Sequence, residues 1–597
     1  MNNGIKYLII IAFAIMFLGL FLACDKSVQQ VLSFSDSNRQ ELETVLKYYA
    51  NDKTKLKAAK YLINNMYHAS RNEGESIVYD ARCIKSEYLI NEINVAFNSW
   101  ECSPWREEIG FEDFCEYILP YRVVDEPLSS WRDSLRSEYD YLLRGIKDPI
   151  DAFVKVSGHV LNLFEKTNEG QKNPDVMALH HSLKGTCEQR TLYLVSVLRS
   201  LCIPAAYDFV PFWGNYSVNG HAWVAFVKNG RTFTVLPGDS VAKEYNSIDG
   251  SGFNDGGYLE HNYYEWDSIK RAPVIMRSSY KIKDRMSPMA ENVSHQYGFK
   301  NSKKINTCFA WGRAPALMSF HSGYGWRYVI TGRSVFGGIK YESLANGVVY
   351  LPSTYNKGIQ RAIGHPFLFK DSALYVFAPR KDSVQTVVLR RKYPLRKQWY
   401  NRWKEFVGAA IEVSNDSLFR EKKIVYEFNK VPESIVLTDM NLDTAYRYIR
   451  FHAHPEKRPE IAELKFYSQY DSSPLEGRCI SNRIEEESVH YLFDNDYLSF
   501  SPYVLRDYWV GLDLGAPKHI SQFELCPRHD MNMIQRNHVY ELFYFDKNWI
   551  SLGKIKASSD SIVYNDVPIN AILWLKNHTE GREERIFLYE NGKQCFY

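Results

Sequence analysis

The sequence predicts a multidomain protein: a helical N-terminal region, an α+β core around one cysteine-bearing helix, and tandem all-β sandwiches toward the C-terminus. Three observations carry this. A chain of 597 residues exceeds the ~250–300 residues over which a single hydrophobic core usually grows. Apolar side chains recur at helical spacing through most of the first 150 residues and again after Cys187. From about Asn301 onward, short segments rich in Val, Ile, Tyr and Phe alternate with Gly, Pro, Asn and Asp, which is the texture of sandwiches. The composition is globular and aromatic-rich, and a net charge of +3 leaves no electrostatic footprint for nucleic acid.

Residues 1–24 read as a secretory signal. Lys6 precedes an apolar run from Tyr7 through Leu22 that is short for a membrane span, and a small residue stands before a cysteine. The Ala23-Cys24 ending resembles a bacterial lipoprotein box, with Phe21 in place of the usual Leu. That resemblance implies lipidation at Cys24 and a chain anchored by one end to the membrane of a bacterial cell envelope, on the extracytoplasmic side. An uncleaved anchor helix would leave it on the same side.

Residues 25–150 form the helical region. Residues 38–49 and 53–66 mix Leu, Ala and Tyr with Lys and Glu, separated by Asn51-Asp52, and further helical patches fall at 84–97, 111–118 and 135–146. Trp100, Trp105 and Leu119-Pro120-Tyr121-Arg122 are considered for the lining of a cleft, with core packing the expected role of each aromatic.

The core spans residues 151–285. After Gly185-Thr186-Cys187, Leu192, Val195, Leu198 and Leu201 mark a helix that Cys202-Ile203-Pro204 ends. Cys187 should therefore stand at a helix N-terminus, where unpaired N–H groups and the helix dipole favour the nucleophilic thiolate. Next, His221, Trp223, Ala225 and Val227 alternate with Ala222, Val224 and Phe226 up to the turn pair Asn229-Gly230, and residues 232–236 return as a second strand. A two-residue loop sets Lys228 opposite Arg231 and His221 opposite Gly238. Asp239 then faces away from His221 unless a bulge near Pro237-Gly238 absorbs one residue, and such a bulge is expected. A cysteine, a histidine and an aspartate in this order fit a thiol nucleophile, a general base and an acid that fixes the imidazole tautomer. Asp208 is the runner-up for the acid.

The pattern Gly-x-Cys, a helix ending Leu-Arg-Ser-Leu-Cys-Ile-Pro-Ala, then His-Ala-Trp and a downstream Asp resembles the transglutaminase-like superfamily of papain-like folds. That superfamily includes transglutaminases, cysteine proteases and peptide:N-glycanases. The resemblance implies Cys187 as nucleophile, His221 as base and Asp239 as orienter. Gly238-Asp239-Ser240 departs from the Asp-Pro often found at the third position.

Other clusters carry less. His180-His181 has no Cys or carboxylate at metal-ligand spacing and reads as a solvated loop, so no metal or other cofactor is expected. Residues 249–257 are Gly-rich, but no strand leads in and no Gly-Lys-Ser follows, which favours a surface loop over a phosphate cradle. Ten scattered cysteines without paired spacing make no disulfide framework.

The remaining chain divides into a β-rich domain at 290–400 and sandwiches at 401–470 and 471–597. Residues 446–467 and 508–525 resemble the discoidin, or coagulation factor type C, jelly-roll family. This implies carbohydrate as a ligand and permits calcium, although no EF-hand-like loop marks one. The whole reads as an extracytoplasmic thiol enzyme that cleaves peptide or side-chain amides through a Cys187 thioester, by hydrolysis in preference to transfer to an amine, on a protein or glycoprotein substrate. The alternatives are a non-catalytic glycan-binding surface protein on the same scaffold and peptide:N-glycanase-like deglycosylation.

Overall fold

The structure is a computed structural model that describes residues 28–597 apart from 168, 171, 173, 217–218, 236–241, 245–252, 255–263, 266–268, 282–288, 300, 307–313, 357–358, 433, 483, 485, 501–504 and 581–582. Cys24 with its signal segment, Asp239 with the expected bulge, and most of the Gly-rich stretch lie outside the described residues. No helix among the described residues is long and apolar enough to cross a membrane.

The chain is multidomain, with a helical N-terminal region and many sheets toward the C-terminus. Helices Arg39–Tyr48, Lys53–Asn65, Ser86–Glu101, Phe111–Tyr117 and Arg132–Tyr139 form because their apolar residues recur on one face. Asp52 separates the first two by accepting the N–H groups of Thr54 at 3.1 Å and Lys55 at 2.9 Å. These helices have no core of their own. Their buried faces join helix Pro149–Leu163, helix Cys187–Ser200 and one face of the following sheet in a single cluster running from Val28 to Tyr280. Two ion pairs sealed from water tie it together, Arg122 Nη2 to Asp80 Oδ1 at 2.7 Å and Arg132 Nε to Glu92 Oε2 at 3.0 Å. The residues considered for a cleft belong to this core, as expected for the aromatics. Trp100, Trp105, Tyr121 and Arg122 are all buried, and Trp105 donates to Cys202 O at 2.7 Å.

Helix Cys187–Ser200 is the centre of the cluster. From Thr191 to Ser200 every residue is buried, because helices Arg132–Tyr139, Pro149–Leu163 and Val176–Ser182 cover one side and strands Ala205–Phe212 and Asn219–Lys228 the other. It ends at Cys202-Ile203-Pro204, with Cys202 at φ 59° and Ile203 N–H returning to Leu198 O at 2.9 Å. The sheet is six-stranded, in the order Ala290–Asn292, Met276–Ser278, Ala205–Phe212, Asn219–Lys228, Arg231–Thr234, Lys243–Glu244. Its first pair crosses the boundary expected between 285 and 290, so the core reaches at least Asn292.

The C-terminal half is nested rather than tandem. Strands 410–414, 422–427, 446–452, 478–481 and 509–518 form one sheet, strands 436–439, 461–468, 471–474 and 522–527 a second, and the two close over one apolar cluster from Phe406 to Leu525. The expected boundary at 470 therefore falls inside a sandwich, in the hairpin between Ile461–Ser468 and Asp471–Pro474. This sandwich is inserted into another. The sheet centred on Ala314–His321 and Val348–Asn356 packs against the sheet of Val539–Asp546, Leu573–Asn577 and Ile586–Glu590 through Phe320, Leu351, Phe545 and Trp574. Residues 380–389 and 562–569 also pair across the insertion. Local strand signals cannot show this, because pairing partners some 180 residues apart leave no mark on either segment.

Candidate functional site

The cysteine helix begins as its sequence requires. Thr186 is the N-cap at φ −70°, ψ 172°, its Oγ1 accepts the Gln189 N–H at 3.4 Å, and Gln189 Oε1 accepts the Thr186 N–H at 3.1 Å. This capping box makes Cys187 the first helical residue. It also explains Gly185, since a Cβ there would lie 2.5 Å from Gln189 Oε1. Cys187 is half-buried and forms no disulfide.

The same local geometry carries His221 to the same end of the layer. A 14-residue helix rises ~21 Å and the 8-residue strand after it ~26 Å, so after the tight turn at Cys202 the end of Ala205–Phe212 returns to the level of Cys187. His221 pairs there with Val210. The hairpin register is the expected one: Asn229 and Gly230 take φ 52° and 72°, and Lys228 faces Arg231. Alternation turns Ala222, Val224 and Phe226 into the core shared with the cysteine helix, and puts His221 and Trp223 on the other face. Arg190, one turn after Cys187, interacts electrostatically with both Cys187 and His221.

Beneath His221 lies a buried polar chain. The Trp223 indole stacks on the His221 ring with centroids 6.1 Å apart and donates Nε1–H to Tyr297 Oη at 2.9 Å. Tyr297 donates to Asp208 Oδ2 at 2.5 Å, and Arg277 grips both Asp208 oxygens at 2.7 Å from Nε and Nη2. Arg277 Nη2 also donates to Thr232 Oγ1 at 3.1 Å. Asp208, the runner-up acid, sits opposite Trp223 rather than His221 and is committed to Arg277 and Tyr297. Tyr297 and Arg277 escaped the sequence reading, since neither stands in a motif and only the folded sheet brings them to Asp208.

Burial pushes the His221 imidazole down to about 4, reinforced by Lys166, Lys270 and Arg190 in that order. That direction favours the neutral ring at pH 7. The His180-His181 pair is helical rather than looped, lying on Val176–Ser182 with His180 Nδ1 2.9 Å from Tyr193 Oη. Among the described residues no group of three His, Cys, Asp or Glu side chains is placed to hold a metal.

No protein-family model matches this sequence, and no curated protein matches it. Among solved structures, a proposed cysteine protease from Cytophaga hutchinsonii aligns at 14% identity and TM-score 0.17, over 19% of this chain and 41% of that one. Red sea bream transglutaminase aligns at 9% identity and TM-score 0.19, over 92% of this chain and 79% of that one. The chain thus spans less than half of the first structure. Similarity at this level carries no argument for fold or chemistry, and function must be argued from the chain's own geometry.

Proposed function

We propose that the protein is a thiol enzyme that opens peptide or side-chain amide bonds through a thioester at Cys187. The observation that carries this is the thiol at the first residue of a capped helix, level with the end of the sheet at which His221 stands on the other face, with Arg190 acting on both groups. His221 takes the thiol proton as sulfur attacks the carbonyl carbon. The developing oxyanion meets the N–H groups of Cys187 and Glu188, which have no acceptor among the described residues, while Thr186 occupies those of Gln189 and Arg190. The imidazolium then protonates the leaving amine, the C–N bond breaks, and water cleaves the thioester to a carboxylic acid with the thiol restored. Asp239 remains the acid proposed to orient His221. Anchoring through Cys24 would place this chemistry outside the cytoplasm, and the sandwiches would hold a protein or glycoprotein substrate.

The test is site-resolved alkylation of the purified chain at pH 7, with the exposed Cys102 as internal reference. Cys187 is expected to react at least about tenfold faster than Cys102 and to lose that advantage in His221→Ala, a modest part of the ~10²–10⁴-fold that a general base contributes. Equal rates at the two cysteines, unchanged by His221→Ala, would remove the enzyme reading.

A further inference from the structure

The His221 ring is set against Trp223, and Trp223 is itself held. The two residues stand two apart on strand Asn219–Lys228, so alternation puts them on one face, where their ring planes lie 29° from parallel in an offset stack. Arg277, Asp208 and Trp223 form one row across three neighbouring strands. Tyr297 bridges the last two. It comes from the short turn Ser294–Tyr297, which is fastened by the Ile275 N–H to Ser294 Oγ at 2.8 Å and by the Val293 N–H to Ile275 O at 2.9 Å. Its hydroxyl accepts the indole N–H and donates its own proton to Asp208, and its ring meets the indole edge-on, with centroids 5.6 Å apart and planes at 85°. Tyr297 is fully buried and Arg277 grips its acceptor at both oxygens, so this hydroxyl is fixed in place. A tryptophan side chain turns about two bonds, and a directed hydrogen bond together with the edge contact constrains both.

Resting on the thiol-enzyme reading, we infer that Tyr297 is a positioning residue for the general base: through the Trp223 indole it fixes the plane of the His221 ring, with Asp208 and Arg277 as its anchor. A general base acts only while its lone pair is directed at the proton it takes, and a ring free to swing about its Cβ–Cγ bond spends only part of its time in that direction. The stack selects the plane of the ring, a task separate from the choice of tautomer proposed for Asp239. Neither Trp223 nor Tyr297 exchanges a proton with the substrate, and both act on the reaction only through His221.

Two variants of the full chain break the same bond from its two ends. Tyr297→Phe keeps the edge contact and removes the acceptor, whereas Trp223→Phe keeps an aromatic face beside His221 and removes the donor. In each, the rate of iodoacetamide alkylation at Cys187 is divided by that at the exposed Cys102 in the same sample at pH 7, and the His221 Cε1–Hε1 resonance is followed by NMR, assigned with His221→Gln. Tyr297→Phe is expected to lower the quotient about fivefold, the factor that one neutral hydrogen bond is worth, and to shift the His221 resonance as the indole ring current leaves it. Trp223→Phe alone should show the same loss, which keeps the question open to test if Tyr297→Phe does not fold. The double variant should be no slower than Trp223→Phe, because the bond is already gone. An unchanged quotient with an unmoved His221 resonance, or losses that add in the double variant, overturns the positioning role. A wild-type Cys187 that keeps its His221-dependent advantage in that same experiment leaves the thiol-enzyme reading intact, and one that lacks it removes both.

Discussion

Replacing Asp208 by Asn tests whether the carboxylate is a structural keystone or a catalytic acid. Asp208 is 0% exposed and receives Arg277 Nε and Nη2 at 2.7 Å each and Tyr297 Oη at 2.5 Å. Arg277 is equally buried, and this carboxylate is the main group stabilising its charge there. Removing one partner of such a pair leaves an uncompensated buried charge, which costs about 3–5 kcal/mol. Against a typical domain stability of ~5–15 kcal/mol this is about a fifth or more. In urea unfolding followed by tryptophan fluorescence, the transition of the helix-and-sheet core should move to lower denaturant by that amount. The double variant Asp208→Leu/Arg277→Met removes both charges and should regain most of it, because well-packed apolar replacements of buried pairs are often neutral. A cost below about 1 kcal/mol for Asp208→Asn, together with slowed alkylation of Cys187 in a normally stable protein, would refute the structural assignment and return Asp208 to the catalytic set.

Three further outcomes follow from the same physics. His221 titrates at about 4 in the folded chain, below its ordinary value of ~6.5, so the unfolded chain binds the extra proton between these limits. Its contribution to stability is full above pH ~6.5 and lost as pH falls through about 4, and carbon-13 histidine NMR, assigned with His221→Gln, should show a resonance unmoved from pH 7 down to 5. Gly185→Ala puts a Cβ 2.5 Å from Gln189 Oε1, expels that side chain from the capping box and should lower stability by about 1 kcal/mol, with slower Cys187 alkylation; unchanged thermal midpoint and rate would show that the cap does not position the thiol. In the inserted sandwich, burial pushes Glu463, 1% exposed, up to about 8. Its raised value means stability that is full at low pH and lost as pH rises through about 8, and Glu463→Gln should flatten that dependence in calorimetry at pH 5 and pH 9.

What the sequence determined by itself is local. The start of the cysteine helix follows from Thr186 and Gln189, its end from Cys202-Ile203-Pro204, and the hairpin register from Asn229-Gly230, because each depends on residues within one turn of the chain. The pairing of Val210 with His221 then sets the level at which His221 stands. Only the tertiary structure decided what surrounds it and Cys187. Tyr297 and Arg277 reach Asp208 from 89 and 69 residues away, Lys166 meets Gly185 through a parallel ladder, and Arg122 is sealed in the core against Asp80. The nesting of one sandwich inside another was equally hidden. Burial and strand pairing between distant segments are properties of the assembled layers, and hydrophobic pattern records which face of a segment is buried but not what buries it.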